Sequence, residues 1–225
     1  YRLTDLPVVD TDERLIGVVR YTNLVAAAED VATVAIQTMV GVSKDERALS
    51  KVSFAVRKRL PWLQINLLTA FLAAAVVGLF EDTIAKYTAL AILLPVVAGQ
   101  SGNTGAQALA VTMRGLALRE IRARQWPRVV FKEMAAGFWN GIAIAATTSL
   151  GVWVWSQSIG LAAVIAVSMV LSMVIAGIFG AAIPLVLTAI KQDPAQSSSI
   201  VLTTVTDVAG FFSFLGIATA FSAML

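Results

Sequence analysis

From residue 62 to the C-terminal end, long apolar runs are broken only by short polar stretches. Five runs stand out, at 62–80, about 83–118, about 129–155, 161–190 and 197–225. Each reaches the ~20 residues that a helix needs to cross a hydrocarbon core ~30 Å thick. The second is too long for one straight span and contains Pro95, Gly99, Gly102 and Gly105, which predicts a kinked or broken helix. The first sixty residues have a different pattern. Two short β-branched runs, 6–10 and 15–19, flank the polar stretch 11–14 and predict a β-hairpin. Thr22 is placed to cap a following helix over 23 to about 39. Two strands do not make a stable domain by themselves, so the hairpin reads as the end of a soluble domain that begins upstream of Tyr1. A polar connector, 43–59, leads to the first apolar run and ends in Arg57-Lys58-Arg59.

Composition sharpens this division. Hydrophobic residues make up 58% of the chain and charged residues 14%, more apolar surface than a soluble domain of this length hides. The net charge of +3 describes neither part, because eight of the fourteen acids (Asp5, Asp10, Asp12, Glu13, Glu29, Asp30, Asp45, Glu46) precede residue 62. Arg57, Lys58 and Arg59 precede the first run, and Arg114, Arg119, Arg122, Arg124, Arg128 and Lys132 lie between the second and third. The positive-inside rule places these segments in the cytoplasm, and five spans then put the C-terminus outside. Trp62 and Trp126 fall at the inner boundary and Trp153 and Trp155 at the outer one, where aromatic belts form. The expected fold class is an all-α polytopic membrane protein with five transmembrane helices and a short α/β remnant at its N-terminus.

The chain has no cysteine and no histidine. Thiolate and imidazole metal sites, Cys nucleophiles and Ser-His triads are therefore excluded. No nucleophile–base pair points to an enzyme, and no feature points to nucleic acid. A metal bound here is held by oxygen, which suits magnesium or calcium.

Asp207 is the outlier, about ten residues into the fifth run and hence ~15 Å along a helix. A carboxylate near the bilayer middle costs roughly 2.5–3.5 kcal/mol on insertion scales, so it faces a cavity or a cation, or it is protonated and bonded to a neighbouring helix. Gln196, Ser199, Thr203, Asp207 and Gly210 share one helical face, polar at its start and apolar by Phe214. In the second run, Gly99, Asn103 and Gln107 are four apart on one face. Proline, glycine and amide residues at membrane depth fit an oxygen-rich wall of a wet cavity, and they also fit close helix packing. Glu133 reads as paired with Arg128 or Lys132, or as snorkelling. Glu81 and Asp82 either concentrate cations at the outer mouth or belong to an ordinary solvated loop.

The stretch from Pro95 to Gln107 with Arg114-Gly-Leu-Ala117 resembles the second-span motif of the MgtE family of magnesium channels. Asp193-Pro-Ala195, Thr203-Thr204 and Thr206-Asp207-Val-Ala-Gly210-Phe-Phe resemble its fifth-span motif. Residues 1–28 resemble the end of a second CBS domain, 29–60 the plug or connecting helix, and 61–225 the five-helix pore domain. The resemblance implies a homodimer in the bacterial plasma (inner) membrane that conducts Mg2+ through a pore walled by the second and fifth spans. Asp207 is then the central acid, and Asn103, Thr203 and carbonyls at Gly99 and Gly102 contact the hydrated ion, with Ser199, Gln107, Glu81 and Asp193 as secondary candidates. It also implies gating by cytoplasmic Mg2+, and a nucleotide partner at the CBS domains of the longer protein. An ion-coupled carrier (H+ or Na+) is the alternative, although no second mid-membrane acid or histidine is present to relay protons. Ser101 and Ser199 stand where the family usually has glycine, and each is expected to add a side chain beside the pore.

Overall fold

The computed structural model describes residues 4–26, 37, 40–43, 45–121, 123–192 and 194–224. Strands β1 (Asp5–Val9) and β2 (Leu15–Arg20) pair antiparallel, with Asp5 opposite Arg20 and an irregularity between Val8 and Val9. This is the expected hairpin. The Asp10 carboxylate accepts from the backbone N–H groups of Asp12 and Arg14 at 2.9 and 2.8 Å, so an Asx-type turn closes it. Helix begins at Tyr21, just before the expected Thr22 cap, and residues 21–26 are helical. Most of the expected 23–39 helix, and with it most of the plug segment, lies outside the described residues.

The rest is helical. Helix α1 spans Val52–Gly78, α2 Glu81–Lys86, α3 Ala89–Ala117, α4 Trp126–Ser156, α5 Ile159–Ala189 and α6 Pro194–Ala220. Two expected boundaries shift. Helix α1 begins inside the polar connector, because residues 52–59 contain no breaker and continue the helical run. The long second run does break, but at Tyr87 and Thr88 instead of at Pro95. Tyr87 leaves the helical region (φ −127°, ψ 76°), whereas α3 continues through Pro95 for 29 residues. A proline costs a helix one N–H donor, and packing of Leu93 and Val97 into the core offsets it.

Helices α1, α5 and residues Ser198–Ala220 of α6 are long and apolar enough to cross a membrane. Helices α3 and α4, at 29 and 31 residues, are long enough but less uniformly apolar. The polar run 100–107 dilutes α3, and Arg128, Lys132 and Glu133 dilute the start of α4.

Helix α5 is the hub, with α3, α4 and α6 packed around it and Ile165, Met169 and Ala176 fully buried. Small residues let the backbones meet. A Cβ on Gly180 would lie 2.5 Å from the Gly105 carbonyl oxygen, and one on Gly177 2.5 Å from that of Glu133. Such close approach replaces the hydrophobic effect as the force joining helices in lipid. Buried hydroxyls bond within their own helices, as Ser168 donates to the Val164 carbonyl at 2.7 Å and Thr112 to Ala108 at 2.8 Å. Ser172 and Ser213 pair across α5 and α6 at 3.0 Å. Helix α1 stands apart. It packs mainly on α6 and buries only Ala73, while Leu68 and Phe71 are exposed.

Candidate functional site

The site begins with the contact between α3 and α6. Gly105 faces Leu202 and Thr206, at 3.0 and 3.2 Å from a notional Cβ, and Gly210 faces the Ser101 Oγ at 3.4 Å. Residue 101 thus meets 210 while 105 meets 202 and 206, so the helices run antiparallel. This register sets Asn103 and Asp207 at one level, and Gln107 near the level of Thr203. Asp207 is 13 residues into a 27-residue helix, at its middle.

The two helices turn the same type of surface outward. Gly99, Asn103 and Gln107 are all exposed, and Gly102 is half-buried. Nothing lies within 4 Å of the positions a Cβ would take on Gly99 or Gly102. Gly105, three residues on, is closely packed, so the glycines of this stretch divide between an open face and a helix contact. On α6, Thr203 is exposed and Ser199 and Asp207 are half-buried. Asp207 has no hydrogen-bond or ion-pair partner among the described residues. The threonine hydroxyls are directed inward along the helix, Thr203 to the Ser199 carbonyl at 2.9 Å and Thr206 to the Thr203 carbonyl at 3.1 Å.

The expected stripe on α6 does not stay open along its length. Gly210 and Phe214 are buried, the latter in the α5 core. The polar face therefore ends about one turn beyond Asp207, and the helix closes against the bundle. Ser101 also departs from expectation. It is fully buried, donates to the Ala98 carbonyl at 3.1 Å and touches α6 at Gly210, so its side chain lies in the helix contact and not on the open face. Spacing explains this: 101 and 105 share the packed face, while 99, 103 and 107 share the open one.

Ser199 lines a cavity of about 180 Å3 with Thr203, Ile200, Trp62, Leu63 and Asn66. Asn66 is a polar residue beside the site that sequence reasoning passes over, and its signal is an amide within an apolar run. Glu81 and Asp82 lie in α2, exposed and away from Asp207, near the far end of α6 where Thr83 and Thr219 bond at 3.0 Å. Asp193 lies outside the described residues. Glu133 is buried and pairs with Lys132 at 2.5 Å, away from the open face. No group of three acidic, His or Cys side chains converges among the described residues. A single chain therefore presents one carboxylate, on an open face level with the Asn103 amide. That suits an ion keeping its water shell better than one stripped of it.

Comparison with known proteins bears on this surface. The MgtE family model, described as a divalent cation transporter, matches residues 94–217, which include both faces of the site. The magnesium transporter MgtE of Bacillus subtilis (strain 168) is 31% identical over 221 residues, 98% of this chain and 49% of that protein. The magnesium transporter MgtE of Thermus thermophilus is 33% identical over 220 residues, 97% of this chain and 49% of its own. That of Enterococcus faecalis is 28% identical over 221 residues, 98% of this chain and 49% of its own. The chain spans about half the length of the curated relatives it matches.

Proposed function

The chain belongs to the MgtE family of divalent cation transporters, and on that premise we propose that it forms the pore of a magnesium channel. Two copies face each other across a twofold axis, each contributing the open faces of α3 and α6. Residues 61–225 form the membrane domain with five spans (α1, α3, α4, α5 and α6), N-terminus inside and C-terminus outside. Residues 1–28 are the end of a CBS domain, and 29–60 connect the two.

The observation that carries this reading is Asp207. It lies mid-helix, level with Asn103, on a face where Gly99 and Gly102 leave open space. Its carboxylate has no partner among the described residues to offset the cost of lying at membrane depth. A divalent ion between two such carboxylates supplies that partner. Magnesium dehydrates reluctantly, so the carboxylates, the Asn103 amides and backbone carbonyls hold its waters instead of the bare ion. The Thr203 hydroxyl is committed to the Ser199 carbonyl, so its free lone pairs accept from those waters. Selectivity then follows from the width set by the glycines and from the paired negative charge. Gating by cytoplasmic magnesium, through acidic surfaces of the CBS domains and the connecting helices, completes the reading.

A channel accounts for the site better than a proton-coupled carrier does, because Asp207 is the single acid in the middle of the described helices. Vesicles carrying the full-length protein and a magnesium-sensitive dye test the proposal. Asp207→Ala is expected to reduce magnesium uptake at least tenfold while leaving the elution profile of the folded protein unchanged. Uptake at the wild-type rate would refute the role of Asp207. Bilayer recordings separate channel from carrier: unitary currents are expected, and their absence alongside steady uptake would point to coupled transport.

A further inference from the structure

The connection between α3 and α4 forms a second, unrelated feature. An apolar groove of about 540 Å3 opens on the flank of the bundle, between the ends of α3 and α5 and the start of α4. That volume is within the ~300–1,000 Å3 of small-molecule sites. Its walls include Leu116, Ile121, Trp126, Ala182, Leu185 and Val186, with Arg119 at its rim.

The groove is built, not incidental. Arg119 takes the left-handed conformation (φ 55°), and the Gly115 carbonyl accepts from the N–H groups of Glu120 and Ile121 at 2.9 and 3.2 Å. The turn folds Ile121 onto Gly115, where a Cβ would overlap the Ile121 side chain. Glycine at 115 leaves that seat free, and Ile121 becomes one wall of the groove. Trp126 remains 56% exposed at the other wall.

Charge identifies the occupant. Residues 114–132 contain Arg114, Arg119, Arg122, Arg124, Arg128 and Lys132 against a single acid, Glu120. Arg119, Arg124 and Arg128 are exposed and make no ion pair among the described residues. An unpaired guanidinium at the rim of an apolar slot, with further basic residues in the same connection and a tryptophan in its wall, matches a molecule that has an anionic head and a hydrocarbon tail. We propose that this groove binds an acidic phospholipid of the inner leaflet, one acyl chain along Leu185 and Val186 and the phosphate at Arg119. The proposal rests on the membrane orientation given above but not on the ion pathway.

Tryptophan quenching tests it. The full-length protein is placed in phosphatidylcholine vesicles containing equal small fractions of either dibrominated phosphatidylglycerol or dibrominated phosphatidylcholine. The fluorescence lost on Trp126→Phe isolates the signal of the groove. Phosphatidylglycerol is expected to quench that component several-fold more effectively. Arg119→Asn, which suits the left-handed backbone, is expected to reduce the preference about fivefold, the effect of one basic group at a charged membrane surface. Ala189→Leu, at an exposed groove position, is expected to lower quenching by both lipids, and inorganic phosphate is not expected to compete. Equal quenching by the two lipids, an unchanged preference in Arg119→Asn, or a Trp126 that neither lipid reaches because protein covers it would each overturn the proposal. Magnesium uptake by the same vesicles reports on the transport reading separately.

Discussion

Gly99 and Gly180 are both helical glycines, but different surroundings require them. In front of Gly180 stands the Gly105 carbonyl oxygen, 2.5 Å from where a Cβ would be, and backbone there cannot yield without moving α3 from α5. Gly180→Ala is therefore expected to lower stability by about 1–3 kcal/mol, the usual cost of overpacking, visible as a lower midpoint of thermal unfolding in detergent. Gly99 faces open space. Gly99→Ala removes a poor helix former from an uncrowded position, so stability is expected to hold or to rise by up to about 1 kcal/mol. Its effect belongs to ion flux, because the added methyl narrows the open face; unchanged uptake would detach Gly99 from the pathway. Lys132 presents a third case. Its ammonium is the partner of the buried Glu133 carboxylate, so Lys132→Met is expected to cost about 1–3 kcal/mol by leaving that acceptor unsatisfied. Glu133→Gln, which keeps an acceptor and removes the charge, is expected to cost less in the same unfolding measurement.

At the scale of elements, periodicity carries most of what is legible. The short β-branched runs on either side of residues 11–14 specify the hairpin, and spacing of four places Gly99, Asn103 and Gln107 on one exposed face. What periodicity does not encode is which of two plausible faces a neighbouring helix takes. Ser101, expected beside the pore, is instead buried against Gly210, because the small residues 101 and 105 admit α6 most closely. The break in the second run falls away from the proline for a related reason. Pro95 marks a local cost, but the chain turns where tertiary contacts hold the turn. The Tyr87 hydroxyl donates to the Ser222 carbonyl at 2.7 Å, and Thr83 bonds Thr219 at 3.0 Å. These tie the α2 turn to the end of α6. Tyr87→Phe is expected to cost about 1 kcal/mol, one hydrogen bond, and to speed hydrogen exchange at residues 83–88 more than in α5. Uniform exchange in both would mean that the turn is held by other contacts.

For the whole molecule, the decisive question is what covers the outward faces of α1, α3 and α6. Helix α5 is packed by α3, α4 and α6, whereas α1 buries only Ala73 and the Asn103 side of α3 is open. Lipid accounts for Leu68 and Phe71 on α1, since apolar side chains cost nothing in hydrocarbon. It does not account for Asn103, Gln107 and Asp207, because amides and a carboxylate at membrane depth need water, protein or an ion. In the proposed dimer a second copy bringing the same face into register provides all three, and an isologous twofold contact sets the residues closest to the axis near their own counterparts. These 225 residues contain no cysteine, which makes this directly testable, since within them a single introduced thiol has no competitor. Asn103→Cys is expected to be linked into a dimer in membranes by a short bismaleimide with a reducible central bond that can span a hydrated ion, and Phe131→Cys, on an exposed apolar side of α4, to remain monomeric on denaturing gels. Linking the Asn103→Cys pair is also expected to reduce magnesium uptake, with recovery on reduction. A monomer at both positions would mean that the open face of α3 and α6 meets something other than its twin, and the two-carboxylate ion site would fall with it.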